Sequence, residues 1–295
     1  MAAGVAVETL SSSDWAQWMG ALAAGVACGA VSPLVVQRRW AFLGEAIGHS
    51  GYGGAGVVWL LAALLPGVAI LQSVEAAMAG VLLAALAVAV GIGLVGGGDN
   101  EPDRHHRQRR TDFDVVVGLF LVGTLALGLL ASRLYEVRLG ARPARADSLL
   151  FGGGVSTVGI TEAALTLAVA LAVAVGLRLY RREVLAWSID PTNARLSGLA
   201  GSGTRLAVLV AVAASAALAA RLTGAILVTA LLVLPGATAT RCGRTLRSVW
   251  LISLATSAGA VASSVLLKAW LPPGPTVVVV LIAAFGAGVL AGRRS

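Results

Sequence analysis

The sequence predicts an all-α, polytopic integral membrane protein, and three observations carry that prediction. Hydrophobic residues make up 58% of the chain and charged residues only 12%, with a mean hydropathy of +0.88, whereas soluble domains are about a quarter charged. Apolar runs of about 20 residues, enough to cross a hydrocarbon layer about 30 Å thick, recur along the whole length. The formal charge of +8 is almost all arginine, with Lys268 the only lysine, and it sits in short segments between those runs. That distribution orients a membrane protein, so the basic balance points to membrane lipid as surroundings and not to nucleic acid as a partner.

The elements follow in order. A first span covers about Trp15 to Val36, with Trp15 and Trp18 as interfacial aromatics, and ends at Arg38 and Arg39. No basic region precedes it, so a cleaved signal peptide is not expected. The second span carries Glu45 and His49 and continues to about Leu65; the third covers about Ala76 to Val95. Asp99 to Asp114 is the most polar stretch and reads as a charged, solvated cytoplasmic loop. His105 and His106 lie in it without a spacing that fixes a metal geometry.

A fourth span runs from about Val115 to Ala131. Ser132 to Thr157 then falls outside by span counting, although it holds Arg133, Arg138, Arg142 and Arg145. The fifth span covers about Val158 to Leu179. Tyr180 to Gly198 is basic, amphipathic and interrupted by Pro191, which predicts short helices in a cytoplasmic segment. Thr204 to Thr240 is too long for one span and should turn near Arg221 and Gly224. A basic loop (Arg241 to Ser248), a span to about Trp270, a Pro-Gly turn and a last span complete the chain. The expectation is a single transmembrane domain over residues 1–295 with about nine spans, eight being the alternative count. Its N-terminus lies outside and its C-terminus in the cytoplasm.

Candidate chemistry is sparse. Cys28 and Cys242 match no metal or disulfide spacing and read as structural. Glu75 and Glu162 sit near span ends and read as interfacial. LLPGVA (Leu64 to Ala69) and VLPGAT (Val233 to Thr238) both look like helix ends closed by Leu-Pro-Gly. A phosphate-binding loop needs a lysine in a glycine-rich turn, and neither Lys268 nor LFGGGV (Leu150 to Val155) provides one. ATP hydrolysis, where it drives this protein, therefore belongs to a separate subunit, and the chain itself is not an enzyme.

Glu45 and His49 stand out. At i and i+4 they share a helix face. By rise per residue they lie about 9 and 15 Å beyond Arg39, which puts His49 near the membrane midplane. Ionisable groups at that depth are expensive and usually mark a pathway. One carboxylate and one imidazole suit zinc or manganese, and a pore tolerates an incomplete ligand set because it must also release its ion. The structural alternative is a pair that braces neighbouring helices.

Five stretches carry a family resemblance. RRWAFLGEAIGHS (Arg38 to Ser50), SLLFGGGVSTV, SIDPTNARLSG (Ser188 to Gly198), TGAILVTALLVLPGATAT and LPPGPTVVVV occur in that order. Together they resemble the permeases of bacterial ABC importers for zinc, manganese and iron, over about Gln37 to Leu290. The resemblance implies a type II ABC importer-like permease that works as a pair, most simply a homodimer, with cytoplasmic ABC ATPase subunits and an extracytoplasmic metal-binding protein. It implies a divalent metal, zinc or manganese, as the transported species, with no permanently bound cofactor and ATP on the partner subunit. It maps the cation path onto Glu45 and His49. The segment that couples to the ATPase maps onto Ser188, Asp190, Pro191, Ala194 and Gly198. Where the family has aspartate and a Pro-Gly after the histidine, this chain has Glu45 and a run containing Gly51, Gly53 and Gly54, which predicts a flexible stretch. Two alternatives stay open: an ABC permease for a metal chelate or other small solute, and a proton-coupled secondary transporter.

Overall fold

The computed structural model describes residues 12–65, 67–95, 106–140, 143, 160–199, 201–224, 228–268 and 270–292. These residues form helices and no strand. The long ones are α1 (Ser12–Gln37), α2 (Ala41–Leu64), α3 (Val74–Val95), α4 (His106–Leu139) and α5 (Ile160–Leu179). Two short helices follow, α6 (Arg181–Ile189) and α7 (Pro191–Leu196). The chain ends with α8 (Ser202–Thr223), α9 (Val228–Cys242), α10 (Leu246–Leu266) and α11 (Pro273–Gly292). Six helices are long and apolar enough to cross a membrane: α1, α3, α4, α8, α10 and α11. A seventh qualifies when α5 and α6 are taken as one span bent by 73°. The remaining two of the nine expected spans are α2, whose glycines, Glu45 and His49 dilute its apolar character, and the 15-residue α9.

Two helices form the centre. α1 packs against α10, α9, α5 and α8, while α2 packs against α4, α3, α8 and α9. The α1–α10 contact is built on small residues. Gly25 and Gly29 let α10 approach closely, and Ser257 and Ser253 donate to their carbonyl oxygens at 2.6 and 2.7 Å. Pro33, inside α1, cannot donate to the Gly29 carbonyl four residues earlier, so the Ser253 hydroxyl satisfies it from outside. Cys28 is likewise buried and structural, donating to the Ser215 carbonyl.

Four expectations change. The glycines of α2 do not loosen it, because the helix runs unbroken through all of them. A Cβ at Gly54 would overlap the Gly80 carbonyl of α3, and one at Gly53 would lie 2.6 Å from the Thr124 carbonyl of α4. These glycines are contact points between backbones, the usual role of small residues in membrane helices. The Leu-Pro-Gly echo also dissolves, since α2 ends at Leu64 while Pro235 lies inside α9. There the Gly236 N–H donates to Ser32 Oγ of α1 at 2.7 Å. The fourth span is longer than its apolar run. The chain is helical from His106, because nothing between His106 and Asp114 breaks a helix, and it stays helical to Leu139. Residues 99–105 of the charged segment lie outside the described residues, as do Leu150 to Val155. Finally, Pro273, Gly274 and Pro275 open α11, where a missing N–H costs nothing, so the turn shrinks to the residues before it. The expected break near Gly224 is present, with Gly224 at φ 81° as the C-cap of α8.

Candidate functional site

α1 and α2 meet at a three-residue corner. Arg39 has φ 58°, the left-handed region that glycine usually occupies at a helix end. The Trp40 N–H donates to the Val35 carbonyl at 2.9 Å and the Arg39 N–H to the Val36 carbonyl at 3.1 Å, which closes a Schellman turn. Such a conformation costs a non-glycine residue about 1–2 kcal/mol, so the surroundings must hold it. They do so through aromatic contacts. Trp40 stacks on Phe113 of α4 (centroids 6.2 Å apart) and meets Trp187 of α6 at 5.6 Å. The Arg38 guanidinium lies 4.0 Å from the Trp187 ring centroid, and Arg205 of α8 lies 6.0 Å from that of Phe113. Burial, with Arg205 and then Arg195 adding repulsion, pushes the Arg38 guanidinium below its ordinary pKa. Together, these contacts bring the α1–α2 corner, the start of α4, α6 and the start of α8 to one end of the bundle.

Four residues after the first residue of α2, and about 6 Å along its axis, comes Glu45; His49 lies about 12 Å along. Glu45 is partly buried and His49 buried. Among the described residues no hydrogen bond or ion pair joins them, and His49 Nδ1 is buried without a partner. A buried ring nitrogen that the protein leaves unpaired is costly, and it stands available to a partner from outside the chain. Gly44, beside Glu45, packs on Leu232 of α9, where a Cβ would come within 2.8 Å of Leu232 Cδ1. The turn that carries Glu45 is thus held close to α9, the helix that contains Pro235. Among the described residues no group of three or more His, Cys, Asp or Glu gathers, so the arrangement is not a closed metal cage.

The other predicted residues build α7. Asp190 caps it, accepting from the Thr192 and Asn193 N–H groups at 3.0 Å and from the Asn193 amide at 2.8 Å. The Asn193 N–H bond leads in holding the Asp190 carboxyl below the usual carboxylate range; partial desolvation opposes it, and the Asn193 amide and Thr192 N–H reinforce it. Pro191 occupies the first helical position, where it is pre-organised. Ala194 is buried beneath the helix, and Ser188 is buried at the end of α6. Gly198, at φ 70°, closes α7 with a second Schellman turn, through Gly198 N–H to the Arg195 carbonyl and Leu199 N–H to the Ala194 carbonyl, both 2.9 Å. The result is a short, well-defined knob. Ile189 (62%), Leu196 (82%) and Leu199 (50%) are exposed on and beside it, large apolar side chains around a short capped helix.

The sequence pattern of the ABC 3 transport family matches residues 14–291. The chain belongs to the ABC 3 transport family. Three relatives of this family member illustrate its surroundings. It is 27% identical to the manganese transport system membrane protein MntC of Halalkalibacterium halodurans, over 74% of this chain and 66% of that protein. It is 27% identical to a probable metal transport system membrane protein of Thermotoga maritima, over 91% and 86%. A probable iron transport system membrane protein of Haemophilus influenzae is 24% identical over 80% and 77%. Among solved structures, PsaBC from Streptococcus pneumoniae in complex with Fab shares the fold with a TM-score of 0.71. Its identity is 20%, with 93% of this chain and 90% of that one covered.

The aromatic corner escaped sequence reading, as did the Ser32–Gly236 contact. Trp187, three residues before Asp190 in an otherwise basic stretch, was the available signal for the first. Ser32-Pro33 and Pro235-Gly236, each inside an apolar run, were the signal for the second.

Proposed function

We propose that this ABC 3 transport protein is the permease subunit of an ATP-driven importer that carries a divalent metal ion, zinc or manganese, across the cytoplasmic membrane. The observation that carries this reading is His49, buried in the central helix with an unpartnered ring nitrogen one turn beyond Glu45. A passing cation supplies the missing partner, and two ligands bind weakly enough to release it. The names of the relatives, manganese among them, support a metal as cargo.

Ile189, Leu196 and Leu199 support α6 and α7 as the dock of a cytoplasmic ATPase. A second copy of the chain would complete the permease, and an external metal-binding protein would deliver the ion. The N-terminus is outside and the C-terminus cytoplasmic, which puts the arginine-rich corner, α6 and α7 on the ATPase side.

Uptake of zinc, manganese and iron by cells with and without this protein tests the cargo; equal content of all three metals in both strains defeats the reading. Replacing Asp190 and Pro191 by alanine should reduce ATPase co-purification several-fold while leaving membrane insertion intact. Cysteine placed at Ser11 should label from outside intact cells, and labelling only after permeabilisation reverses the orientation.

A further inference from the structure

We propose that Arg38 and Trp187 are positioning residues that transmit movement of α6 and α7 to α2, and so set where Glu45 and His49 stand. The inference rests on the reading of α6 and α7 as the ATPase dock, and goes beyond it by naming the route inward. Trp187 is fully buried, and it projects from α6 into the corner that begins α2. Its ring is held on two sides, by the Arg38 guanidinium at 4.0 Å and by Trp40 at 5.6 Å. Those two residues flank Arg39, whose left-handed backbone and Schellman bonds make the corner stiff and not a hinge.

Trp40 is the N-cap of α2, so no slack separates it from the helix. Leu43 and Gly44 are buried in the next turn, Gly44 against α9, and Glu45 follows at once. A shift of Trp187 therefore displaces the start of α2 as a body, because a packed interior transmits strain instead of absorbing it. The arginine matters for its plane. A guanidinium stacks on an indole face, whereas an ammonium is a hydrated point charge that does not reproduce the contact.

A passive core role would make uptake, ATP hydrolysis and the amount of folded complex fall together. Transmission predicts that they separate. The test uses the complete complex of permease and ATPase in proteoliposomes, with manganese ion as the transported probe, and reads ions moved per ATP hydrolysed. Arg38→Lys should keep the ATPase bound and hydrolysis within about twofold. Ions per ATP should fall about tenfold, a factor between those that an exposed and a desolvated cation–π contact supply, as suits the half-buried Arg38. Trp187→Phe, which keeps an aromatic face, should retain most of the ratio.

An unchanged ratio in Arg38→Lys, or uptake and hydrolysis falling in proportion, overturns the proposal while leaving the dock in place. ATPase binding that survives Asp190→Ala and Pro191→Ala removes the dock, and the relay with it. Arg38 is partly exposed, so the decisive variant does not depend on tolerance of a change at the buried Trp187.

Discussion

α2 and α4 lie side by side and obey opposite rules. α4 is apolar through its membrane part, and many of its large side chains, among them Leu119, Val122 and Leu130, are exposed on the outside of the bundle. α2 is the less apolar of the two, yet every residue from Leu43 to Gly56 is buried except Glu45, which is partly so. Hydropathy measures what faces lipid. A helix enclosed by other helices has no lipid to satisfy, so it can use its surface for close contact and for ionisable groups. The same glycines serve both ends, since they let α3 and α4 approach and leave Glu45 and His49 enclosed by protein.

The comparison can be broken most forcefully at Gly54. Gly54→Val places a branched side chain against the Gly80 carbonyl, and overpacking of this kind costs about 1–3 kcal/mol. The melting temperature of the purified protein should drop clearly, and an unchanged melting curve would mean that α2 and α3 are not in backbone contact. Next in size comes Tyr52→Phe, which deletes the 3.3 Å hydrogen bond from the Tyr52 hydroxyl to Ser132 Oγ between α2 and α4. A loss of about 0.5–1.5 kcal/mol is expected in the same assay, with metal uptake preserved. The smallest effect belongs to α4 itself. A Cβ at Gly123 meets nothing within 4 Å, so Gly123→Ala should cost nothing and can gain up to about 1 kcal/mol in helix propensity. Destabilisation there would show that α4 is enclosed like α2.

The same contrast explains what could be read from the chain. Lipid-facing helices such as α3, α4 and α11 declare themselves by apolar length. Gly224 announced its turn because few other residues adopt φ 81°. Glu45 and His49 were visible as ionisable residues out of place at helical spacing. Gly53 and Gly54, which follow them, were legible as residues but not as a surface, because the partners that give them meaning, Thr124 and Gly80, lie on other helices. Trp187 was hidden for the same reason. Its neighbours Arg38 and Trp40 are about 150 positions away in sequence, and only packing joins them.

The central claim is that the interior of α2 is enclosed in order to handle a cation, and substitution at its two ionisable residues tests this most directly. Glu45→Gln keeps volume and removes charge, while His49→Ala removes the nitrogen ligand. The measurement is uptake of zinc against manganese by each variant, normalised to folded protein in the membrane. The account predicts that folded protein persists, that uptake falls at least about tenfold with the loss of a first-contact ligand, and that the ranking of the two metals changes. A buried structural pair would instead lose folded protein, since breaking one costs about 3–5 kcal/mol. Normal uptake with an unchanged metal ranking in both well-folded variants would contradict the account.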